Sequence, residues 1–147
     1  MKEEKPVSQV NSIPMTDDNG SPLFTWPAER PQLIGAKCHN CGEVVFPRRT
    51  QCPKCYTESM EEMLLSRKGK VFSSTISYLA PGAPFEGSVP YSIGHVVLPE
   101  RVLIPCRFAE VGDKPIAIDT DVELSIVEWG KDREGNTILM HVFRRAQ

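Results

Sequence analysis

The sequence has no long apolar run. None of its hydrophobic stretches approaches the roughly 20 residues that a membrane-spanning helix requires. Its first twelve residues, MKEEKPVSQVNS, contain no apolar region of the kind that a secretory signal needs. We therefore expect a cytoplasmic protein without a membrane partner.

The sequence also has no excess of positive charge and few aromatic residues. Its 17 Lys and Arg residues are outnumbered by 19 Asp and Glu residues, so the net charge is −2. General nucleic-acid-binding proteins usually have a strong basic excess, and single strands are bound largely by stacking on aromatic rings. Because aromatic residues make up only 7% of the chain, the composition disfavours nucleic-acid binding.

Cysteine is scarce but concentrated in one place. Four of the five cysteines lie within the eighteen residues CHNCGEVVFPRRTQCPKC, as two CxxC pairs ten residues apart. A disulfide framework, a redox site and a metal site are the three explanations. Stable disulfides are rare in the cytoplasm, whereas two facing CxxC turns form the tetrahedral four-sulfur cage of a structural zinc site. The spacing predicts one structural Zn²⁺ per chain, bound by Cys38, Cys41, Cys52 and Cys55.

Such a site would stabilise the chain rather than act on a substrate. Four sulfurs fill every coordination position, so none remains for water or substrate. Iron is the rival metal, because four thiolates also bind iron. The fifth cysteine, Cys106, shares strand parity with apolar residues, and we expect a buried hydrophobe there rather than a nucleophile.

The sequence divides into three parts. Residues 1–30 are polar and rich in proline, which predicts an extended tail that is disordered or binds a partner. Residues 31–67 contain the cysteine cluster, and residues 68–147 alternate between apolar and polar positions as strands do. Local charge differs as well, with +3 over 37–70 and −3 over 71–147.

The third part predicts a mainly β fold. Residues of equal parity are apolar in four segments: Phe72, Ile76 and Tyr78; Val102, Ile104, Cys106 and Phe108; Val122, Leu124 and Ile126; and Ile138, Met140 and Val142. With SIGHVVL as a fifth strand, the prediction is a five-stranded OB-fold barrel. The stretch TESMEEMLLS fits either a helical turn or an extended lead into the barrel.

Several motifs together resemble one family. They are LIGAKCHNCG, VFPRRTQCPKC, GKVFSSTISY, VPYSIGHVVLPE and DVELSIV, and they extend from about residue 24 to the C-terminus. The chain resembles small proteins that join a rubredoxin-like zinc ribbon to an OB-fold. It departs from the family pattern at IDTDV, where a glycine is usual, and at Tyr56, which follows the second cysteine pair.

The resemblance implies a non-catalytic accessory subunit of a thiolase-type acyl-CoA enzyme. Members of the family accompany thiolases, hydroxymethylglutaryl-CoA synthases and thiolase-like aldolases in hetero-oligomers, and the catalytic Cys and His belong to the thiolase-fold partner. We further expect the complex to be a catabolic β-ketoacyl-CoA thiolase such as 2-benzoylsuccinyl-CoA thiolase, although no particular residue supports this choice. The alternatives are a module that binds single-stranded nucleic acid and a stand-alone enzyme that uses Cys106.

Six residues are candidates for contact with the partner or with CoA: Phe24, Trp26, Arg48, Arg49, Phe85 and Tyr91. The aromatic residues of LFTWP either anchor a partner or pack on the protein's own core. Both arginines lie on the ribbon, where they either meet CoA phosphates or remain solvated. The long loop 80–91 contains the last two candidates, and Tyr91 fits a core position at the start of a strand equally well.

Overall fold

A computed structural model describes residues 11–80, 82, 89–109 and 114–146. Regular structure within these residues consists of strands: β1 (Ser12–Pro14), β2 (Ile34–Cys38), β3 (Val44–Val45), β4 (Met60–Leu64), β5 (Lys68–Ser77), β6 (Tyr91–Val97), β7 (Leu103–Phe108), β8 (Asp121–Lys131) and β9 (Thr137–Arg145). The predicted mainly β class is confirmed. In the described part of the chain, no helix is long and apolar enough to cross a membrane.

The last five strands form a closed barrel. β5 pairs with β6 and β6 with β7, while β8 pairs with both β5 and β9, and all four pairings are antiparallel. β9 closes the barrel by pairing in parallel with β7. This is the five-stranded OB-fold that the sequence pattern predicted.

The predicted alternation holds on two strands and fails on a third. Along β7 and β8 the apolar residues of equal parity face inward, and Ile104 and Val122 are fully buried. On β5 the prediction fails at Phe72, which is 54% exposed whereas its neighbour Val71 is fully buried, and Tyr78 lies beyond the end of the strand and is 72% exposed. The register between β5 and β6 shifts between Val71 and Ser73, and an extra residue in a strand reverses its alternation beyond that point.

The cysteine-containing part forms a separate three-stranded sheet. β2 lies at its centre and pairs antiparallel with β3 and with β4. Because β4 occupies residues 60–64, the ambiguous stretch TESMEEMLLS is extended rather than helical. Gly35 allows the close approach of β3, since a Cβ at this position would lie 2.6 Å from the carbonyl oxygen of Val45.

Residues 11–33 run along the barrel and the small sheet. β1 pairs in parallel with residues 137–139 at the start of β9. The carboxylate of Asp17 then accepts hydrogen bonds from the backbone N–H groups of Asn19 and Ser21, which fixes a tight turn. Phe24 forms a bridge with Leu33, and both side chains are fully buried.

One hydrophobic core joins the three parts. The cluster that contains Phe24 and Leu33 also contains Leu65 and the barrel residues Leu139 and Phe143. β9 is accordingly buried on both of its faces, since residues of both parities are buried along it. The small sheet and the segment before it therefore pack directly against the barrel.

Candidate metal centre and its surroundings

The two CxxC pairs form similar turns. In the first, the backbone N–H of Gly42 donates to the carbonyl of Cys38 at 2.9 Å, and in the second the N–H of Tyr56 donates to the carbonyl of Cys52 at 2.9 Å. Both donors have positive φ angles, 82° for Gly42 and 66° for Tyr56. Each turn therefore directs its two thiols to one side of the backbone.

All four predicted ligands lie together. The sulfur atoms of Cys38, Cys41, Cys52 and Cys55 are within 4.8 Å of one another, with 3.6 Å from Cys38 to Cys55 and 3.5 Å from Cys41 to Cys52. A tetrahedral ion with bonds of about 2.3 Å to sulfur places its ligands about 3.8 Å apart. The cluster therefore fits one tetrahedral metal ion, and its all-cysteine composition is that of a structural site.

Hydrogen bonds favour the thiolate form of two of these ligands. The hydroxyl of Thr57, 3.1 Å from the sulfur of Cys55, and the side-chain amide of Asn40, at 3.4 Å, lower the pKa of Cys55 to about 5. The pKa of Cys38 is also lowered, chiefly by the backbone N–H of Cys41, against the opposing effect of burial. Because metals bind thiolates, these donors favour metal binding at Cys38 and Cys55. At Cys41 the backbone N–H of Glu43 acts in the same direction, but burial and the sulfur of Cys52 raise the pKa to about 12.

The two candidate arginines, Arg48 and Arg49, differ in exposure and in the number of their ion pairs. The guanidinium of Arg48 lies 2.7 Å from Glu62 and 3.5 Å from Asp17, donates to the carbonyl of Pro22, and leaves its side chain only 16% exposed. Arg48 therefore links the turn at residues 17–22 to the ribbon sheet through these contacts. Arg49 is exposed and takes part in none of the ion pairs found among the described residues.

Arg49 borders a cleft beside the second cysteine turn. The cleft has a volume of about 780 Å³ and lies between residues 16–19 and 47–56. Tyr56, whose side chain is 71% exposed, lies on the same border. An exposed arginine and an exposed aromatic ring thus flank one opening.

The other candidate contacts have distinct surroundings. Phe24 is fully buried in the shared core, which agrees with packing on the protein's own core. Trp26 is half-buried against that core, and its indole N–H has no hydrogen-bond partner among the described residues. Phe85 lies outside the described residues.

Tyr91 belongs to a cluster that sequence reasoning missed. The guanidinium carbon of Arg107 lies 5.4 Å from the centroid of the Tyr91 ring and 5.2 Å from that of Trp129. Both distances are typical of cation–π contacts. Because the three residues come from β6, β7 and β8, no local motif could have indicated the cluster.

Cys106 has the surroundings of a structural residue. Its side chain packs against the core, and burial raises the pKa of its thiol to about 12. The two nearby histidines have other partners, since His95 Nδ1 lies 3.0 Å from the hydroxyl of Ser73 and His141 Nε2 lies 2.9 Å from the carbonyl oxygen of Pro105. These contacts favour a small hydrophobe over a nucleophile at this position, although the side chain is partly rather than fully buried.

Comparison with protein families gives two adjacent matches. Residues 25–61 match the rubredoxin-like zinc ribbon domain of ChsH2, and residues 62–127 match the C-terminal OB-fold domain of ChsH2. The two matches meet within β4, close to the junction between ribbon and barrel.

Similar proteins span all or most of the chain. It is 31% identical over 149 residues to the benzoylsuccinyl-CoA thiolase subunit BbsA of Thauera aromatica, with 99% of each chain covered. It is 40% identical over 96 residues to a DUF35 domain-containing scaffold protein of Methanocaldococcus jannaschii, with 65% of this chain and 67% of that protein covered. The solved structure of the Ltp2-ChsH2(DUF35) aldolase matches with a TM-score of 0.62 at 25% identity, over 79% of this chain and 86% of that one.

Proposed function

The chain belongs to the family of proteins that join a ChsH2-type rubredoxin-like zinc ribbon to a C-terminal OB-fold, and from that premise we propose that it is a non-catalytic accessory subunit of a thiolase-type acyl-CoA enzyme. In this role it stabilises a thiolase-fold partner and helps to shape the partner's CoA-binding region. The catalytic groups of the reaction belong to the partner.

One observation carries the proposal. The relative that aligns with 99% of this chain is named as a subunit of a thiolase, so the similarity includes the N-terminal segment as well as both domains. The partly buried thiol of Cys106, whose pKa burial raises to about 12, is consistent with a subunit that supplies no nucleophile. The name of that relative also supports a finer proposal, that the complex cleaves a β-ketoacyl-CoA such as 2-benzoylsuccinyl-CoA.

We propose Zn²⁺ as the metal of the four-cysteine cluster. When bound, the ion cross-links the two turns, and the four sulfurs leave no position for a substrate. The chain's own residues prepare the site, because the hydroxyl of Thr57 and the amide of Asn40 both contact the sulfur of Cys55. The ribbon is too small to bury an adequate core alone, so metal binding supplies much of its folding free energy.

The geometry narrows the set of candidate contacts. Arg48 and Phe24 have partners inside the chain, which leaves Arg49 as the candidate with an exposed side chain and Tyr91 and Trp26 as half-buried ones. Arg49 borders the cleft beside the second cysteine turn, where a phosphate of acyl-CoA bound near the interface would meet its exposed guanidinium. The net charge of +3 over residues 37–70 favours an anionic ligand beside Arg49, while Asp17 and Asp18 also line the cleft and partly offset it.

A mild affinity purification of the tagged chain from its native host tests the proposal. The expected result is a thiolase-fold protein in stoichiometric amount, with about one zinc per chain as a closed four-sulfur site requires. The purified complex, but not the chain alone, should catalyse thiolysis of a β-ketoacyl-CoA. Recovery of the chain alone, or with nucleic acid, would refute the proposed function.

A further inference from the structure

Two aromatic rings approach the guanidinium of Arg107 from different strands. Arg107 lies on β7, which pairs with β6 on one side and with β9 on the other. Tyr91 is the first residue of β6, and Trp129 lies on β8, the strand that pairs with β9. The guanidinium carbon is 5.4 Å from one ring centroid and 5.2 Å from the other. All three side chains are half-buried, so the rings restrict both the position and the hydration of the cation.

No carboxylate in the described part of the chain forms an ion pair with this guanidinium. Arg107 takes part in none of the ion pairs found there, in contrast to Arg48, whose guanidinium contacts Glu62 and Asp17. A guanidinium whose faces contact rings still presents N–H groups along its edge. That edge is suited to a planar, bidentate acceptor such as a carboxylate.

Exposed apolar residues lie next to this cluster. Tyr78 and Leu79, which follow β5, are 72% and 80% exposed, and Val89, which precedes β6, is 42% exposed. They flank the position at which Ser77 pairs with Tyr91. Apolar side chains beside an arginine and aromatic rings are the composition of an interface centre, since arginine, tyrosine and tryptophan are enriched among residues that dominate binding energy.

We propose that this surface of the barrel is a docking site for the partner protein, in which Arg107 binds a carboxylate side chain of the partner. Tyr91 and Trp129 position the guanidinium, and Tyr78 and Leu79 contact apolar residues around that carboxylate. The inference rests on the proposed function, because it assigns part of the accessory subunit's interface. The net charge of −3 over residues 71–147 favours a single carboxylate over the polyanionic backbone of a nucleic acid.

The test measures the affinity of the purified chain for its thiolase-fold partner. Arg107→Met keeps the packing against both rings but removes the N–H donors, and Arg107→Lys keeps the positive charge without the paired N–H donors of a guanidinium. Arg133→Met, in the exposed turn after β8, is the matched control. We expect Kd to rise about thirtyfold for Arg107→Met and about tenfold for Arg107→Lys, the scale of a dominant interface residue, and to stay unchanged for Arg133→Met. Circular dichroism and metal content verify folding, and if Arg107→Met does not fold, Arg107→Lys decides.

A charge-reversal experiment separates direct contact from a merely structural role. Arg107→Glu should abolish binding, and replacing one Asp or Glu of the partner with Arg should restore it. Unchanged affinity of folded Arg107→Met or Arg107→Lys would refute this docking site while leaving the accessory function intact. If the chain has no thiolase-fold partner, both the docking inference and the proposed function are refuted. If the chain instead binds an oligonucleotide and Arg107→Met releases it, the inference that this surface docks a protein is refuted.

Discussion

Gly42 and Tyr56 occupy equivalent positions in the two cysteine turns. Each directly follows the second cysteine of its pair, has a positive φ angle, and donates its N–H to the first cysteine's carbonyl at 2.9 Å. Glycine adopts this left-handed conformation without steric cost, whereas another residue pays about 1–2 kcal/mol. The second turn therefore holds a strained tyrosine whose side chain points largely into solvent.

Relief of this strain should be measurable. We expect Tyr56→Gly to exceed Tyr56→Ala in stability by about 1 kcal/mol, because both lose the same ring and only glycine tolerates the positive φ. Denaturant unfolding of the metal-saturated proteins measures the difference. Equal stability of the two variants would show that the turn imposes no strain at this residue.

Loss of one metal ligand should unfold the ribbon. Cys52→Ser should lose the metal and the ordered structure around it, because binding supplies about 10 kcal/mol in comparable small sites. Metal analysis and circular dichroism of the purified protein measure both effects. Cys106→Ser is the matched control, since it also removes one thiol but not a ligand, and it should retain the metal. A folded Cys52→Ser protein with full metal content would contradict a structural metal site.

The neighbouring arginines should separate stability from binding. Arg48→Met should lower the free energy of unfolding by about 1–3 kcal/mol, because it leaves Asp17 and the carbonyl of Pro22 without their partner. Arg49→Met should leave stability within about 0.5 kcal/mol, as exposed substitutions usually do, and should weaken acyl-CoA binding by the complex. Thermal unfolding measures stability, and titration with CoA measures binding. A stable Arg48→Met together with a destabilised Arg49→Met that binds CoA normally would contradict these roles.

His141 should make stability depend on pH. Burial lowers its pKa in the folded state, despite the opposing effect of the Pro105 carbonyl, while the unfolded value is about 6.5. Below that pH the unfolded chain binds a proton that the folded chain does not bind. The contribution of His141 is therefore fully present above about pH 6.5 and decreases on acidification, with a slope approaching about 1.4 kcal/mol per pH unit.

The control for this prediction is His141→Gln, which keeps an N–H donor near Pro105 but cannot titrate. Carboxylates contribute equally to both proteins, so the difference between the two stability profiles isolates the histidine. We expect the two profiles, measured by urea unfolding from pH 7.5 to pH 5.5, to converge as the pH falls. Parallel profiles would mean that His141 is protonated in the folded state as readily as in the unfolded chain.

Features that depend on short spacing could be predicted from the sequence. Four cysteines at the spacing of two facing turns predicted the metal cluster, and the alternation around Ile104 and Val122 predicted barrel strands. The alternation failed at Phe72 because one extra residue in β5 reverses which side faces inward, and composition does not reveal such an insertion.

Features that depend on distant residues could not be predicted. Neither Arg107 nor Trp129 is part of a local motif, and they meet only because β7 and β8 belong to one barrel. The internal partners of Arg48 have the same origin, since Asp17 and Glu62 lie 31 residues before and 14 residues after it in the sequence. From the sequence we expect Arg48 to be solvated or to meet a CoA phosphate, whereas the fold places its guanidinium against Asp17 and Glu62.

The core shared by the ribbon and the barrel has a consequence for cooperativity. Leu33 and Leu65 from the ribbon side pack in the same cluster as Leu139 and Phe143 of the barrel, so neither part can open without exposing apolar surface of the other. Heat should melt the chain in a single calorimetric transition, with equal van't Hoff and calorimetric enthalpies. Removal of the metal would then lower the melting temperature of the barrel itself, although no barrel residue is a ligand.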